Sequence, residues 1–152
     1  MPSFVVHKKV HWSDGDAAGI AWFANYLGWF EDVEEELYAT ALGRSRQSVL
    51  EGERIGLPRV EAHIRFEAPV PIGTLLRIAV TATIENPRRL RYAFEMTRDS
   101  DRVRVARGFV RAACVDADFR PRDLPPIVAE FVDRLATLAD AQAAGRAEVP
   151  WT

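Results

Sequence analysis

Tyr26-Leu27-Gly28-Trp29-Phe30-Glu31-Asp32-Val33-Glu34-Glu35-Glu36-Leu37-Tyr38-Ala39-Thr40-Ala41-Leu42-Gly43 holds the one long helical pattern of the chain. Tyr26, Phe30, Val33, Leu37 and Ala41 recur at helical spacing, while Glu31, Asp32, Glu34, Glu35 and Glu36 cluster around them. That is an amphipathic helix, and Gly43 closes it. Its acids lie mostly in the first half, where they complement the positive end of the helix macrodipole, and Asn25 is a suitable N-cap.

Downstream, a shorter helical piece is expected over Ser45–Gly52, before the breaker Gly56-Leu57-Pro58. The period then changes to two. Val60, Ala62, Ile64 and Phe66 alternate with Glu61, His63, Arg65 and Glu67, which predicts a strand with one buried face. Leu76, Ile78, Val80, Ala82 and Ile84 mark a further strand, and Leu90, Tyr92, Phe94 and Met96 another. In the strand expected over residues 102–116, Val103 and Val105 share a phase with Phe109 but not with Val110, Ala112 and Cys114. A bulge near Arg107-Gly108 reconciles the two phases. After Pro125-Pro126, Ile127–Leu138 reads as a terminal amphipathic helix, and residues 141–152 as a mobile Ala/Gly-rich tail to a single domain over residues 1–140.

Upstream, residues 4–12 read as a first strand ending at the turn signal Ser13-Asp14-Gly15. The order is thus α+β: five antiparallel strands, one main helix and a C-terminal helix. One helix cannot cover both faces of five strands, so a second copy is expected to close the uncovered surface or an exposed edge, giving a homo-oligomer.

The 152 residues suffice for one core, and 48% hydrophobic with 28% charged residues is a soluble globular mixture. A formal net charge of -2 argues against a general nucleic-acid binder, and no run is long enough to span a membrane. Cys114 is the only cysteine, so no intrachain disulfide can form, and its apolar phase makes it a small core hydrophobe rather than a nucleophile. The first residues lack a signal-peptide apolar core, which leads to the expectation of a cytoplasmic protein.

The chemistry-bearing candidates sit mainly between the first strand and the helix. Asp14-Gly15-Asp16-Ala17-Ala18-Gly19 has the acids of a calcium loop at its first and third positions, but Ala18 and Asn25 stand where further ligands belong. His7, His11 and His63 have no zinc spacing, so no metal is expected. No Gly-x-Ser-x-Gly elbow occurs. Asp14 and Asp16 suit Asx turns. They also precede a helix start whose amides lack intrahelical partners, where an oxyanion would be stabilised while a carboxylate attacks or activates water. Trp22, Phe23, Tyr26 and Trp29 concentrate aromatic surface there, most of it for core packing, with a remainder able to line a flat apolar pocket. Arg88-Arg89-Leu90-Arg91 and Arg120-Pro121-Arg122 are basic clusters that suit either solvated surface or, if they converge, a polyphosphate.

The order of elements and the segment Asp14 to Tyr26 resemble the hotdog-fold acyl-CoA thioesterases, most closely the 4-hydroxybenzoyl-CoA thioesterase family. That family's segment is Asp-x-Asp-x-Ala-Gly, an apolar pair, an aromatic stretch and Asn-Tyr; the chain matches at Asp14, Asp16, Ala18, Gly19, Trp22, Asn25 and Tyr26. The similarity runs over about residues 4–138.

The resemblance implies a hotdog sheet wrapped around the long helix, and hydrolysis of an acyl-CoA, such as benzoyl- or hydroxybenzoyl-CoA, without a cofactor. It implies Asp16 as the catalytic carboxylate, the Phe23 amide as the group polarising the carbonyl, and Asn25 ordering the turn. Phe23 stands where the 4-hydroxybenzoyl enzyme has Tyr, which leaves the oxyanion role and removes the argument for a hydroxylated ring. Trp22, Tyr26 and Gly19 would line the acyl pocket, and Arg88, Arg89, Arg91, Arg120 and Arg122 would hold the nucleotide of CoA. A homodimer with a continuous sheet and interfacial sites is implied, usually paired again into a homotetramer. The alternatives on this fold are an enoyl-CoA hydratase or dehydratase, whose Asp-x-Asn-Pro-x-His-like segment is absent here, and a non-catalytic acyl-CoA-binding module.

Overall fold

The computed structural model describes residues 2–152. Strand β1 (Phe4–Lys9) leads through a single 3-10 turn (Trp12–Asp14) and a loop into helix α1 (Asn25–Leu42), followed by the short α2 (Arg46–Glu53). Four strands follow in succession, β2 (Arg59–Phe66), β3 (Leu75–Asn86), β4 (Arg89–Arg98) and β5 (Arg104–Ala113), before α3 (Pro126–Ala143). The sheet order is β1-β3-β4-β5-β2, antiparallel throughout, with β1 and β2 at its edges. This is the expected α+β hotdog architecture.

The long helix forms where its period predicts, and it buries Tyr26, Trp29, Phe30, Val33, Leu37, Tyr38 and Ala41. Phe30 stacks on Phe94 at 5.2 Å and meets Tyr92 at 5.5 Å, so the middle of α1 sits over β4. Each such fully buried side chain stabilises the fold by about 1.5–3 kcal/mol. α3 packs beside α1 on the same face, where Phe131 stacks on Tyr38 at 4.2 Å. Among the described residues, no helix is long and apolar enough to cross a membrane.

Three expectations shift on contact with the structure. The bulge lies at Val105 rather than at Arg107-Gly108, because Met96 faces Ala106 while Thr97 faces Arg104. Val105 and Ala106 are both buried there, and Phe109 falls on the outer face. Gly108 has a different reason to be glycine: a Cβ would collide with the His63 carbonyl and the Phe94 ring. The first strand ends at Lys9, three residues early, since Trp12 enters the turn.

The third concerns β2, whose apolar phase was read as buried. Val60 is 47% and Phe66 45% exposed, and Ala62 is exposed as well. Helix α1 lies over the middle of the sheet and leaves the edge strand uncovered. It reaches β2 only near the ends. At the start of β2, Arg59 pairs with Glu31 and Glu34 of α1, and Arg46 of α2 joins both acids. Glu34 is fully buried and held between these two guanidinium groups. At the far end, Phe66 meets Tyr26 at 5.0 Å.

The chain end, expected to be mobile, is placed along β1. The His7 N–H donates to Pro150 O at 2.8 Å and the Thr152 N–H to His7 O at 2.9 Å.

Candidate active site

The loop between the 3-10 turn and α1 is pinned at both ends of its small-residue segment. The Ala21 N–H donates to Val70 O at 2.7 Å and the Ile72 N–H to Gly19 O at 3.3 Å, which ties the loop to the segment before β3. Gly19 turns the chain at φ 77°, a conformation costly for any residue with a Cβ.

The two acids have different surroundings. Asp14 is consumed by the local structure: its Oδ2 accepts from the His11 N–H at 2.8 Å, and its carbonyl accepts from the Trp22 N–H at 2.9 Å and from Asn25 Nδ2 at 2.8 Å. Asp16 is exposed, and its Oδ1 accepts from the Ala18 N–H at 2.8 Å in an Asx turn. Its Oδ2 has no protein partner among the described residues, leaving one oxygen free for chemistry.

Asn25 does not cap the helix. It is the first helical residue, and Ala24 stands at the N-cap with helical angles (φ -68°, ψ -14°) and no side-chain bond. An ordinary Ser or Asp cap would add about 1 kcal/mol by occupying free amides. Here the side chain of Asn25 is turned back to Asp14 instead, and the Phe23 and Ala24 N–H groups find no acceptor among the described residues. Unpaired amides at the positive end of an 18-residue helix attract a developing negative charge.

Beside these donors lies a shelf of aromatic rings. Trp22 is 52% and Phe23 64% exposed; Phe23 meets Trp22 at 6.1 Å and Phe66 at 6.0 Å, both edge to face. Tyr26 is buried beneath, against Trp29 at 4.8 Å, and burial pushes its hydroxyl pKa above the usual tyrosine value. Phe66 was missed as a site residue because alternation assigned it to the core; its place at the end of an uncovered edge strand brings it here.

The arginines divide. Both basic segments do meet, since the Cys114 N–H donates to Arg88 O at 2.9 Å and the Leu124 N–H to Pro87 O at 2.8 Å. Arg88 is exposed and pairs with Asp123 at 3.0 Å, whereas Arg89 and Arg120 have no carboxylate in ion-pair range among the described residues. Arg91 lies instead on the outer sheet face, over Phe109 and beside Glu85, and Arg122 donates to the Glu53 carbonyl at 3.0 Å. The basic segments sit at the Arg59 end of β2 and the Asp16 loop at its Phe66 end. An eight-residue strand separates these ends by about 23 Å.

A family model described as the thioesterase-like superfamily matches residues 10–135, a span that includes the loop, α1 and the whole sheet beyond β1. The chain belongs to the thioesterase-like superfamily. It is 29% identical over 146 residues, 95% of each chain, to a 1,4-dihydroxy-2-naphthoyl-CoA hydrolase of Nostoc punctiforme. It is 30% identical to a protein of the same name from Synechococcus sp. strain CC9605, covering 88% of this chain and 89% of that one. Among solved structures, a 1,4-dihydroxy-2-naphthoyl-CoA thioesterase from Synechocystis superposes with a TM-score of 0.81 at 23% identity, over 88% of this chain and 98% of that one. A gentisyl-coenzyme A thioesterase superposes with a TM-score of 0.70 at 25% identity, over 82% and 98% of the two chains. The expected hotdog thioesterase family and fold therefore hold for this superfamily member.

Proposed function

We propose that this superfamily member hydrolyses the thioester of an acyl-CoA whose acyl group is aromatic, releasing the free acid and CoA. The observation that carries the reading is the free Oδ2 of Asp16 in a loop that runs directly into the unpaired Phe23 amide. The Phe23 N–H would donate to the thioester carbonyl oxygen and stabilise the charge that develops on it. Asp16 either attacks the carbonyl carbon, expelling the thiolate of CoA and forming a mixed anhydride that water then hydrolyses to the free acid, or takes a proton from water as it attacks the carbonyl carbon, after which the C–S bond breaks and the thiolate leaves. Asn25 is a positioning residue, since its amide holds the Asp14 carbonyl and through it the turn.

The exposed rings of Trp22, Phe23 and Phe66, with Tyr26 beneath and Gly19 at the turn, offer a flat apolar surface to the acyl group. An aromatic acyl group also agrees with the naphthoyl and gentisyl esters named for the relatives. Of the five arginines, Arg89 and Arg120, with no carboxylate in ion-pair range among the described residues, suit the phosphates of CoA best; Arg88 is exposed but paired with Asp123, and Arg91 and Arg122 are engaged elsewhere.

The reading requires a homodimer. One chain leaves its acyl shelf open and its basic segments at the other end of β2. Antiparallel pairing of two β2 edges about a two-fold axis brings the Phe66 end of one copy to the Arg59 end of the other, and closes the shelf. A dimer of such dimers is the expected homotetramer.

The test is thiol release from a panel of benzoyl, hydroxybenzoyl, phenylacetyl and aliphatic CoA esters, compared by kcat/KM, for the chain and for Asp16→Asn. Aromatic esters are expected to lead, with turnover lost in the variant and binding retained. CoA esters that bind without thiol release would overturn the reading.

A further inference from the structure

The outer face of the sheet, opposite α1 and α3, holds a concavity of its own. One row of residues crosses that face at mid-length: Thr81 on β3, Ala93 on β4, Phe109 on β5 and His63 on β2 stand opposite one another in register. Thr81 and Ala93 are small, whereas the Phe109 and His63 rings stack at 5.6 Å with their planes 10° apart. The result is a trough of about 430 Å³, floored by the two small residues and walled at one end by the two rings. Its size is within the usual range for a small-ligand site.

The rows on either side set like charges face to face. Arg91 is opposite Arg111 on one side and Arg107 opposite Arg65 on the other, each row about 7 Å from the middle one. Like charges directly opposite each other across a sheet destabilise it. On the first side the repulsion is relieved. Arg91 and Arg111 lie over the Phe109 ring at 4.8 and 4.7 Å, and Glu85 stands 3.5 Å from Arg91 and 2.9 Å from Arg111. On the second side only Arg107 is matched.

Each carboxylate around the trough is engaged by another arginine. Glu67 holds Arg107 at 2.8 Å and Arg104 at 3.0 Å with its two oxygens, Glu95 faces Arg104 at 3.3 Å, and Glu61 is 2.8 Å from Arg111. Arg65 is exposed and lines the trough, yet it has no carboxylate in ion-pair range and no hydrogen-bond acceptor among the described residues. A position that breaks a local rule without a compensating contact is where function is to be expected. The planar guanidinium of Arg65 can donate two parallel hydrogen bonds to one carboxylate.

We propose that this trough binds a flat aromatic carboxylate, its ring on Ala93 and Thr81 against the edge of the Phe109–His63 stack and its carboxylate on Arg65. The acid released by the hydrolysis proposed above is of this class, so the site would take the enzyme's own product on the opposite face of the sheet from the aromatic shelf. Only that identification with the product rests on the hydrolase reading.

The experiment titrates 2-naphthoate, cyclohexanecarboxylate and 2-naphthamide into the full chain by calorimetry, for the wild type, Arg65→Gln and Ala93→Leu, and follows the ring protons of His63 by NMR. Both substitutions lie outside the core, and loss of Arg65 removes the repulsion of Arg107, so the urea midpoint of Arg65→Gln should stay level or rise. 2-Naphthoate should bind and move the His63 signals, cyclohexanecarboxylate should bind more weakly, and the uncharged amide should leave His63 unmoved. Loss of a hydrogen-bonded charge should weaken 2-naphthoate about 10- to 100-fold in Arg65→Gln. Ala93→Leu fills the floor and should abolish the His63 response. Unchanged affinity in Arg65→Gln with unmoved His63 signals overturns the proposal, because the acid then sits on the aromatic shelf alone. Cyclohexanecarboxylate binding as tightly as 2-naphthoate overturns the aromatic assignment. A smaller assembly in Ala93→Leu by light scattering, with no His63 response in the wild type, gives this face to a second copy instead. 2-Naphthoate held through Arg65 in a chain that releases no thiol supports the site and rejects the hydrolase reading, whereas thiol release with an affinity indifferent to Arg65 does the reverse.

Discussion

The two edges of the sheet are finished differently. On β1, the chain's own end supplies partners: His7 is bonded on both sides by Pro150 and Thr152, and Val5 by Gln142, whose Oε1 accepts from the Val5 N–H at 2.8 Å while Nε2 donates to Val5 O at 3.0 Å. Trp151 covers the join, 5.1 Å from the His7 ring. On β2, the outer edge has no partner among the described residues, and Val60, Ala62 and Phe66 are left exposed beside it. Unpaired edges invite strand addition, so of the two edges the open, apolar β2 is the one at which the proposed second copy would add. The open edge is also the one beside the aromatic shelf of Trp22, Phe23 and Phe66, so the proposed assembly and the proposed chemistry meet there.

The sharpest break lies in the site at the open edge. Asp16→Asn removes charge and basicity at nearly constant volume, and turnover should fall about 10²- to 10⁴-fold with little change in substrate binding. Stopped-flow thiol release alongside ligand titration reads both; near-normal turnover would remove Asp16 from the mechanism. Next comes the edge itself. Ala62 is exposed in the single chain, so Ala62→Lys should leave the monomer folded, yet it sets like charges close together across an antiparallel two-fold pairing. Light scattering should report a monomer, and turnover should drop at least about 10-fold because the shelf stays open. A monomeric variant with full activity would show that one chain completes the site.

The anchor of β2 gives a smaller effect on activity and a clear one on stability. Glu34 is held by Arg46 and Arg59 in a buried position, and its removal leaves these two guanidinium groups sharing the more exposed Glu31, with the buried space between them unfilled. Glu34→Ala should cost about 3 kcal/mol. Urea unfolding measures it, and a cost under about 0.5 kcal/mol, the range of an exposed pair, would mean that Arg59 does not fix the start of β2. Tyr38 close by stays protonated through the accessible pH range, since burial and then the Glu34 charge push its pKa up to about 12.

Much of this contrast was legible in the sequence, and the rest was hidden for identifiable reasons. Period alone located α1 and the strands because their apolar faces meet one core. It misread Val60, Ala62 and Phe66 because alternation reports which side a residue faces, while only topology decides whether anything covers that side. The same limit hid Phe66 as a neighbour of Phe23. Asn25 was chemically right for a cap, but the Asp14 carbonyl, eleven residues earlier, competes for its amide once the loop folds back. Two conflicting phases revealed a bulge, but it falls at Val105 and not near Arg107-Gly108 as expected, because phase does not say at which residue the two switch. The sealed β1 edge left almost no trace, since Gln142 and Pro150 act through backbone partners more than 130 residues away. The Asp16 segment stood out for the opposite reason, its parts being contiguous.

The mildest effect is expected at the sealed edge, where pH probes the join. Neither ring nitrogen of His7 has a hydrogen-bond partner among the described residues, and burial, then the charge of Arg77, hold its pKa below the ordinary 6.5; Asp99 opposes and Arg102 adds to the lowering. The neutral ring is therefore the form that fits the fold. A depressed histidine pKa means that the unfolded chain binds the proton first, so this contribution is complete above about pH 6.5 and is lost as pH falls through the lower folded value. His7→Gln should flatten that part of the acid limb of a melting-temperature profile without changing turnover at neutral pH. Deleting residues 149–152 should go further, exposing the β1 edge at any pH and adding species larger than the closed assembly to the light-scattering profile. If the truncated chain keeps the wild-type mass at all concentrations, Gln142 alone suffices to guard β1, and the difference between the edges reduces to that one side chain.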